Sequence, residues 1–290
     1  MEKWRLINSW FAANRRELPW RGQETSAWAV LVSEFMLQQT PVIRVIPRFL
    51  EWMERWPTPA ALAAEPAGEA LRAWHSLGYP RRALWLHRAA TIITEQHGGV
   101  VPRDVDTLLT LTGVGDYTAR AVAVFAHGDR HPVVDTNTRR VIARAVKGQA
   151  EAAPPSTASD LRDMTELMPE DDAEAATFNA AIMELGALVC TARNPLCDTC
   201  PLAADCAWKQ TGYPEYTGPK KPVQKKYEGS DRQVRGLIMA EARTSTGPVA
   251  PERVELLWDD VIQRDRALAG LLKDGLLVER PNGYTLSDGS

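Results

Sequence analysis

All four cysteines of the 290-residue chain lie within seventeen residues, in the spacing Cys190-x6-Cys197-x2-Cys200-x5-Cys206. Thiolates are soft ligands, and four of them this close in sequence can surround one compact metal centre. Two disulfides are disfavoured because the N-terminus lacks the apolar centre of a secretion signal and cytosolic thiols stay reduced. A structural zinc ion is the stronger alternative to a cluster, although zinc sites usually pair two Cys-x2-Cys knuckles and this segment has one.

The first two-thirds of the chain carries a helical pattern almost throughout. Apolar residues recur there at three- and four-residue spacing, with Pro, Gly, Asp and Thr between the periodic stretches. No run alternates as a strand would, so we expect an all-α fold for this part. The periodic stretches are 4–11, 28–37, 43–53, 83–93, 105–111, 118–125, 141–146 and 175–189.

A stretch rich in Pro and Lys separates this helical part from the C-terminus and indicates a linker at 211–228. We therefore expect a core at 1–210 and a small module at 229–290. Three helical patterns precede two short extended runs in the module, and Pro281-Asn282-Gly283 separates those runs as a turn. This order resembles a winged helix, which either clamps DNA or caps the core. The three helical patterns are 232–242, 251–261 and 264–274.

The net charge of −3 gives no sign of a nucleic-acid partner, but the charges are unevenly distributed. Residues 71–147 hold eleven Lys or Arg and six Asp or Glu, whereas 148–189 hold one Arg and nine acids. Such segregation allows one basic face to contact phosphates in a mildly acidic protein. No apolar run is long enough to cross a bilayer, so we expect a cytoplasmic protein without a membrane partner.

The sequence LTGVGDYT, residues 111–118, connects two helical patterns. Gly113 and Gly115 on either side of Val114 would allow left-handed dihedrals and a close approach of the backbone to a ligand. The N–H groups that begin the following helix would favour an anion such as a DNA phosphate. A Gly-x-Gly turn occurs in many helix connections, so this motif indicates DNA binding only together with the motifs around it.

Two carboxylates, Asp135 and Glu34, are candidates for catalytic residues. Asp135 begins the helical stretch DTNTRRV, where an N-cap is the ordinary function of an Asp. Glu34, in SEFMLQQT, is flanked by large apolar residues, which is unusual for a surface charge. Burial would keep its carboxyl protonated, as a general acid requires, and an ion pair with a buried Arg is the alternative.

Together these motifs resemble the MutY family of DNA glycosylases, in the helix-hairpin-helix superfamily that includes endonuclease III. The resemblance covers about 1–210 through LPWR, SEFMLQQT, LTGVG-x-YT followed by VDTN, and the cysteine segment. It implies two helical lobes with a cleft, a [4Fe–4S] cluster held by the four cysteines, and a monomer that works at the nucleoid. Its partner would be double-stranded DNA with a mispaired adenine.

The same resemblance implies hydrolysis of the N-glycosidic bond of adenine opposite 8-oxoguanine or guanine. Glu34 would protonate the departing purine and activate water, and Asp135 would stabilise or transiently bond the sugar carbon. Tyr117 and Asn137 match positions that support these two groups. Strand-cleaving relatives place a Schiff-base lysine where Tyr117 stands, so the resemblance implies a monofunctional glycosylase.

Recognition of the mispair would fall to segments near these carboxylates. The resemblance places Gln38, Gln39 and Thr40 beside the opposing guanine, because one base must leave the stack and its space must be filled. Trp20 and Arg21 match the adenine-pocket segment. Their ordinary alternatives are a core residue for Trp20, and a phosphate contact or an ion pair for Arg21.

Three departures from the family pattern bear on base choice. Pro80 follows Tyr79 where the family often has a second tyrosine as a wedge, and proline offers less stacking area. Ala180 follows Asn179 where the family often has Gln or Glu. The module of about sixty residues is too small for the Nudix-like domain of many relatives.

Two further functions remain open on this scaffold. A mismatch thymine or uracil glycosylase would keep an Asp and often a Tyr at these positions, but it lacks the glutamate that Glu34 represents. A DNA-binding protein that uses the cluster as a redox sensor would need neither carboxylate.

Overall fold

The computed structural model describes residues 2–22, 24–219 and 226–288. Over these residues the chain is mostly helical, which confirms the expected fold class. No helix in the described ranges is both long and apolar enough to cross a membrane. Residues 220–225, in the predicted linker, lie outside the described residues.

Contacts between Cα atoms divide the chain into two units that do not follow chain order. The first holds the chain up to Val30, Arg103–Leu109, and the chain from Val114 into the linker. The second holds Leu31–Pro102, Thr110–Gly113 and the C-terminal module.

In the first unit, one apolar core joins α1, α9, α10 and α11. Ile7 and Phe11 of α1 and Val141 of α9 pack with Phe178 and Leu185 of α11. Three of the four cysteines pack against this core from the loop after α11. The helices whose residues lie in this unit are α1 (Lys3–Asn14), the first turn of α2 (Ala27–Leu37), α7 (Val105–Leu109), α8 (Asp116–His127), α9 (Thr136–Ala145), α10 (Thr157–Leu167), α11 (Asp172–Leu188) and α12 (Ala207–Gln210).

The second unit has a core rich in tryptophan. Trp52 contacts Trp56 and Trp74 edge to face, with ring centroids 4.6 and 5.7 Å away, an arrangement that aromatic pairs favour. Its helices are the rest of α2, α3 (Val42–Arg55), α4 (Pro59–Ala63), α5 (Ala67–Ala73), α6 (Arg81–Gln96), α13 (Asp231–Thr244), α14 (Pro251–Glu255) and α15 (Val261–Lys273).

The C-terminal module has the predicted order of three helices and a β-hairpin. Strands β1 (Leu277–Arg280) and β2 (Gly283–Leu286) are antiparallel, and a two-residue turn joins them. Gly283 therefore belongs to β2 and not to the turn. The prediction of a middle helix as far as 261 was wrong: α14 ends at Glu255. The reason is Asp260, whose side chain accepts from the Gln263 N–H and caps a new helix that begins at Val261.

Two arginines attach this module to α5 within the second unit. Arg72 donates to the backbone oxygens of Ala242, Arg243 and Ser245 at the end of α13. In return, Arg243 donates to the backbone oxygen of Leu71 at 3.0 Å. Burial lowers the pKa of Arg243 to about 10, so this guanidinium is still charged at neutral pH. Each arginine thus compensates carbonyls at a helix end.

The turn of LTGVGDYT lies between α7 and α8, and its two glycines differ. Gly113 has φ +81°, as predicted, and a Cβ there would lie 2.7 Å from Trp85 Cβ and 2.9 Å from the Phe35 ring. The prediction of a left-handed residue at Gly115 was wrong. Gly115 is extended, with φ −102°, because it is the N-cap of α8.

Gly113→Ala should lower the free energy of unfolding by about 2–4 kcal/mol, since it adds positive-φ strain and overpacking. Urea denaturation measures this loss. Gly115→Ala is the matched control, because its new Cβ would meet nothing within 4 Å. Equal losses in the two variants would contradict the packing at Gly113.

Candidate active site and cysteine loop

Asp135 is the N-cap of α9, and both of its carboxylate oxygens are engaged. Oδ1 accepts from the Thr138 N–H at 2.7 Å, and Oδ2 accepts from Asn137 Nδ2 at 2.7 Å. The ordinary capping role is therefore present. The same two bonds hold the carboxylate against rotation, which also suits a group that must face a substrate.

The extended segment before Asp135 is held by Asn179, a fully buried residue of α11. Its Oδ1 accepts from the Val133 N–H at 2.8 Å, and its Nδ2 donates to the His131 backbone oxygen at 3.1 Å. A buried amide is stable only when it is hydrogen-bonded in this way. No role for Asn179 was predicted from the sequence. Its one signal there was a polar residue among the apolar ones of FNAAI.

Arg140 links Asn137 to the cysteine loop. Its Nη2 donates to Asn137 Oδ1 and to the Gly186 backbone oxygen, each at 2.7 Å, and its Nε donates to the Cys190 backbone oxygen at 2.7 Å. Burial lowers the pKa of Arg140. A continuous set of hydrogen bonds therefore runs from Asp135 through Asn137 and Arg140 to Cys190.

Close packing of α9 on α11 brings these groups together. A Cβ at Gly186 would lie 2.7 Å from Asn137 Cβ and 2.9 Å from the Asn137 backbone oxygen. Only glycine fits at this contact, so Gly186 sets how closely α11 approaches the start of α9.

The four cysteines line one cavity, together with Arg144 and Trp208. None of the four forms a disulfide bond. Burial raises the pKa of Cys190 and raises that of Cys200 to about 11. The hydrogen bond from Arg144 opposes this effect at Cys190. Among the described residues, no group of three or more His, Cys, Asp or Glu is arranged for a single metal ion.

Arg144 supplies positive charge at this cavity. Its Nη1 lies 3.6 Å from Cys190 Sγ and donates to the Thr191 backbone oxygen at 2.7 Å. The guanidinium stacks over the Trp208 ring at 4.7 Å. Hydrogen bonds and positive charge near sulfur stabilise the anionic thiolates of an iron–sulfur cluster, so the cavity fits this group.

Arg21 pairs with a buried carboxylate. Glu184 of α11 has a side chain that is 1% exposed, and it lies 3.1 Å from Arg21 and 2.7 Å from Arg16. Burial alone would raise the pKa of Glu184, but the hydrogen bonds of Arg16 and the charge of Arg21 lower it. Trp20 is buried. Both ordinary alternatives are thus present, and the adenine-pocket role of these residues stays a prediction.

Tyr117 lies in the first turn of α8 and packs against Ala121, Val124 and Val133. Val133 stands two residues before Asp135, so Tyr117 supports the segment that carries this carboxylate. Within the first unit the structure thus brings together Tyr117, Asp135 and Asn137.

In the second unit, Glu34 is 6% exposed on α2, in agreement with its apolar flanks. Three residues after the end of α2 form a turn in which Gln39 is exposed with φ 55° and Thr40 is buried. Tyr79 is 53% exposed with φ 47°, and Pro80 is the N-cap of α6. Glu34 and Asp135 belong to different units.

Comparison with known proteins identifies the family. Residues 32–166 match HhH-GPD superfamily base excision DNA repair proteins. The adenine DNA glycosylase of Mycolicibacterium smegmatis is 54% identical over 276 residues, which cover 95% of this chain and 92% of that protein. This chain belongs to the adenine DNA glycosylase family.

Solved structures of related glycosylases share the fold. A thermostable thymine-DNA glycosylase is 26% identical with a TM-score of 0.65, over 72% of this chain and 95% of its own. A non-covalent endonuclease III–DNA complex is 24% identical with a TM-score of 0.61, over 72% of this chain and 94% of its own. The helix-hairpin-helix fold predicted from the sequence is confirmed.

The cysteine loop of this adenine DNA glycosylase family member, residues 190–206, matches the iron-sulfur binding domain of endonuclease III. The cofactor is a [4Fe–4S] cluster. This confirms the sequence-based prediction against the alternatives of zinc and disulfides.

Arg140→Gln should slow base release about tenfold or more, the usual cost of removing a group that orients a ligand or catalytic residue. It removes the bonds that join Asn137 to Gly186 and Cys190. Single-turnover kinetics at saturating protein, with iron content measured in parallel, would test this. The matched control is Arg139→Gln, because Arg139 pairs with Asp160 at 2.9 Å instead. An unchanged rate in Arg140→Gln would contradict the link.

Proposed function

We propose that this chain is a monofunctional DNA glycosylase of base excision repair that releases adenine mispaired with 8-oxoguanine or guanine in double-stranded DNA. The observation that carries the proposal is the buried Glu34, in the last turn of α2 before the 38–40 turn. A thymine or uracil glycosylase on this scaffold lacks that glutamate.

In the proposed mechanism, Glu34 donates a proton to the purine as the bond between C1′ and the purine nitrogen breaks. The bonding electrons leave with the base, and the sugar becomes oxocarbenium-like. Asp135, fixed by Thr138 and Asn137, stabilises the positive charge on the sugar. Water then attacks C1′, and Glu34 takes its proton. This mechanism has no Schiff-base intermediate between a lysine and the sugar. That agrees with Tyr117 at the position where strand-cleaving relatives have the lysine.

Recognition of the mispair is proposed for the exposed residues of the second unit. Gln39 and Tyr79 have the exposed polar and aromatic side chains that can fill the gap left by an extruded base. Pro80 is partly buried at the start of α6, so Tyr79 is the better wedge of the two. We assign Gln38, Thr40, Gly113, Val114 and Gly115 to support and backbone contacts with DNA.

The cluster is proposed to be held by Cys190, Cys197, Cys200 and Cys206 and to have a structural role. Three of these cysteines pack against the core that includes α9 and α11. A bound cluster would fix the loop that Arg140 and Arg144 contact. The protein is proposed to act as a monomer.

The test is single-turnover base release on duplexes that contain A:8-oxoguanine, A:G, T:G, U:G or A:T, with and without alkali. We expect release from the first two only, strand breaks only after alkali, and no covalent adduct on borohydride reduction. Release from T:G or U:G alone would establish the thymine or uracil alternative. Binding without release would establish the non-catalytic one.

A further inference from the structure

Arg82, the second residue of α6, is a buried arginine that has no carboxylate partner within the described ranges. It is 3% exposed. Burying a charge without a counter-ion is costly unless hydrogen bonds compensate it. The acceptors that the N–H groups of Arg82 contact therefore indicate what this side chain does in the fold.

The guanidinium of Arg82 donates to two separate turns. Nη1 bonds the Phe35 backbone oxygen at 3.0 Å and that of Gln38, both at the end of α2. Nη2 bonds the Gly78 backbone oxygen at 3.2 Å and Thr40 Oγ1 at 3.4 Å. The planar fork of one side chain thus joins the 38–40 turn to the 78–80 turn.

Two rings flank the same guanidinium. Its carbon lies 5.6 Å from the centroid of Trp74 and 5.1 Å from that of Tyr79, within the range of cation–π attraction. Burial lowers the pKa of Arg82 to about 10, so the group stays charged at neutral pH. Its charge also lies at the C-terminus of α2, where the helix dipole favours a cation.

Both turns contain residues with positive φ, a backbone conformation that is unfavourable for residues other than glycine. Gln39 has φ 55°, Tyr79 has φ 47° and Gly78 has φ 86°. Residues other than glycine are strained in this region and persist only where their surroundings fix them. The two strained residues with side chains, Gln39 and Tyr79, are also the exposed ones, and Arg82 bonds the backbone beside each.

We propose that Arg82 is a positioning residue that fixes the spacing of the 38–40 and 78–80 turns, so that Gln39 and Tyr79 enter the DNA duplex together. This inference rests on the proposed function, because it assigns those two turns to the mispair. Arg82 would act through them and would not touch DNA. Losing it should impair discrimination between mispaired and paired duplexes and leave general attraction to DNA intact.

Arg82→Lys separates charge from geometry. Lysine keeps a cation at the end of α2, but its single ammonium cannot hold four acceptors in two turns as the guanidinium does. The matched control is Arg243→Lys in the same unit. Arg243 is also buried with a pKa lowered to about 10, yet it bonds the Leu71 backbone oxygen and neither turn.

The experiment measures the Kd of the full-length, cluster-loaded protein for two duplexes. One carries non-cleavable 2′-fluoro-deoxyadenosine opposite 8-oxoguanine, and the other carries it opposite thymine. The active fraction is taken separately, from the burst amplitude with a cleavable A:8-oxoguanine duplex in excess over protein. The preference for the mispair is the Kd for the thymine duplex divided by the Kd for the 8-oxoguanine duplex. We expect Arg82→Lys to reduce this ratio at least tenfold and Arg243→Lys to leave it unchanged. Fluorescence of 2-aminopurine beside the mispair should report less base extrusion in Arg82→Lys only.

A residue needed only for folding would lower the melting temperature and the active fraction without changing the Kd ratio. That result in Arg82→Lys would overturn the inference while the proposed function stands. A wild-type protein with no preference for the mispaired duplex would instead overturn the proposed function and this inference with it. If Arg243→Lys reduced the Kd ratio as well, a general loss of order in the second unit would explain both variants. The specific role of Arg82 would then be refuted.

Discussion

Asp135→Asn is expected to slow single-turnover release of adenine by about a thousandfold, the scale on which fixed charges stabilise developing charge in enzymes. The substitution removes the negative charge that the proposed mechanism places against the oxocarbenium-like sugar. It leaves an amide oxygen that can still accept from the Thr138 N–H, so α9 keeps its cap. The protein should therefore stay folded and continue to bind the mispaired duplex.

The control for this prediction is Asp171→Asn. Asp171 is also an N-cap in the first unit, where it accepts from the Glu174 N–H at 2.9 Å. The two variants undergo the same chemical change at the same kind of position. Similar rates in both would mean that Asp135 only caps α9, and the proposed mechanism would lose its stabilising charge.

The features that the sequence predicted well are local ones. The cysteine spacing confines four thiols to one loop, and the structure places them around one cavity. Gly113 was predicted because a tight turn between helices requires its positive φ. Glu34 was predicted to be buried because most residues around it in the chain are large and apolar.

The features that the sequence did not predict depend on contacts between distant residues. Arg140 contacts Gly186 and Cys190, which lie 46 and 50 residues further along the chain. Arg82 contacts Gln38, 44 residues earlier. Neither an arginine's partners nor its burial follow from helical periodicity, because the long side chain reaches several neighbouring elements.

Arg82, Arg140, Arg144 and Arg243 share one physical arrangement. Each is at least partly buried, and each donates to backbone carbonyl oxygens. Helix ends and irregular turns leave such oxygens without partners, and one guanidinium can satisfy several of them. Arg82, Arg140 and Arg144 thus fix segments near the two carboxylates and the cysteine loop. Arg243 does the same between the C-terminal module and α5.

Glu34→Gln is expected to reduce the rate of adenine release by about a hundredfold to ten-thousandfold, the range of general acid catalysis. Glutamine has nearly the same shape in the buried site on α2, but it cannot give a proton to the purine or take one from water. Its Kd for the mispaired duplex should stay within about twofold of wild type, because the glutamine side chain has the same size and the lost proton transfer occurs only in the transition state.

Glu241→Gln makes the same chemical change in the same unit, at a partly buried carboxylate that pairs with Arg253 at 2.7 Å. Its rate of base release should equal that of wild type. If Glu34→Gln released adenine at the wild-type rate, the proton would have to come from another group. The proposal of adenine over thymine or uracil, which depends on Glu34, would then lose its main support. If Glu34→Gln instead lost binding in parallel with rate, Glu34 would be a recognition group and the mechanism would need a different acid.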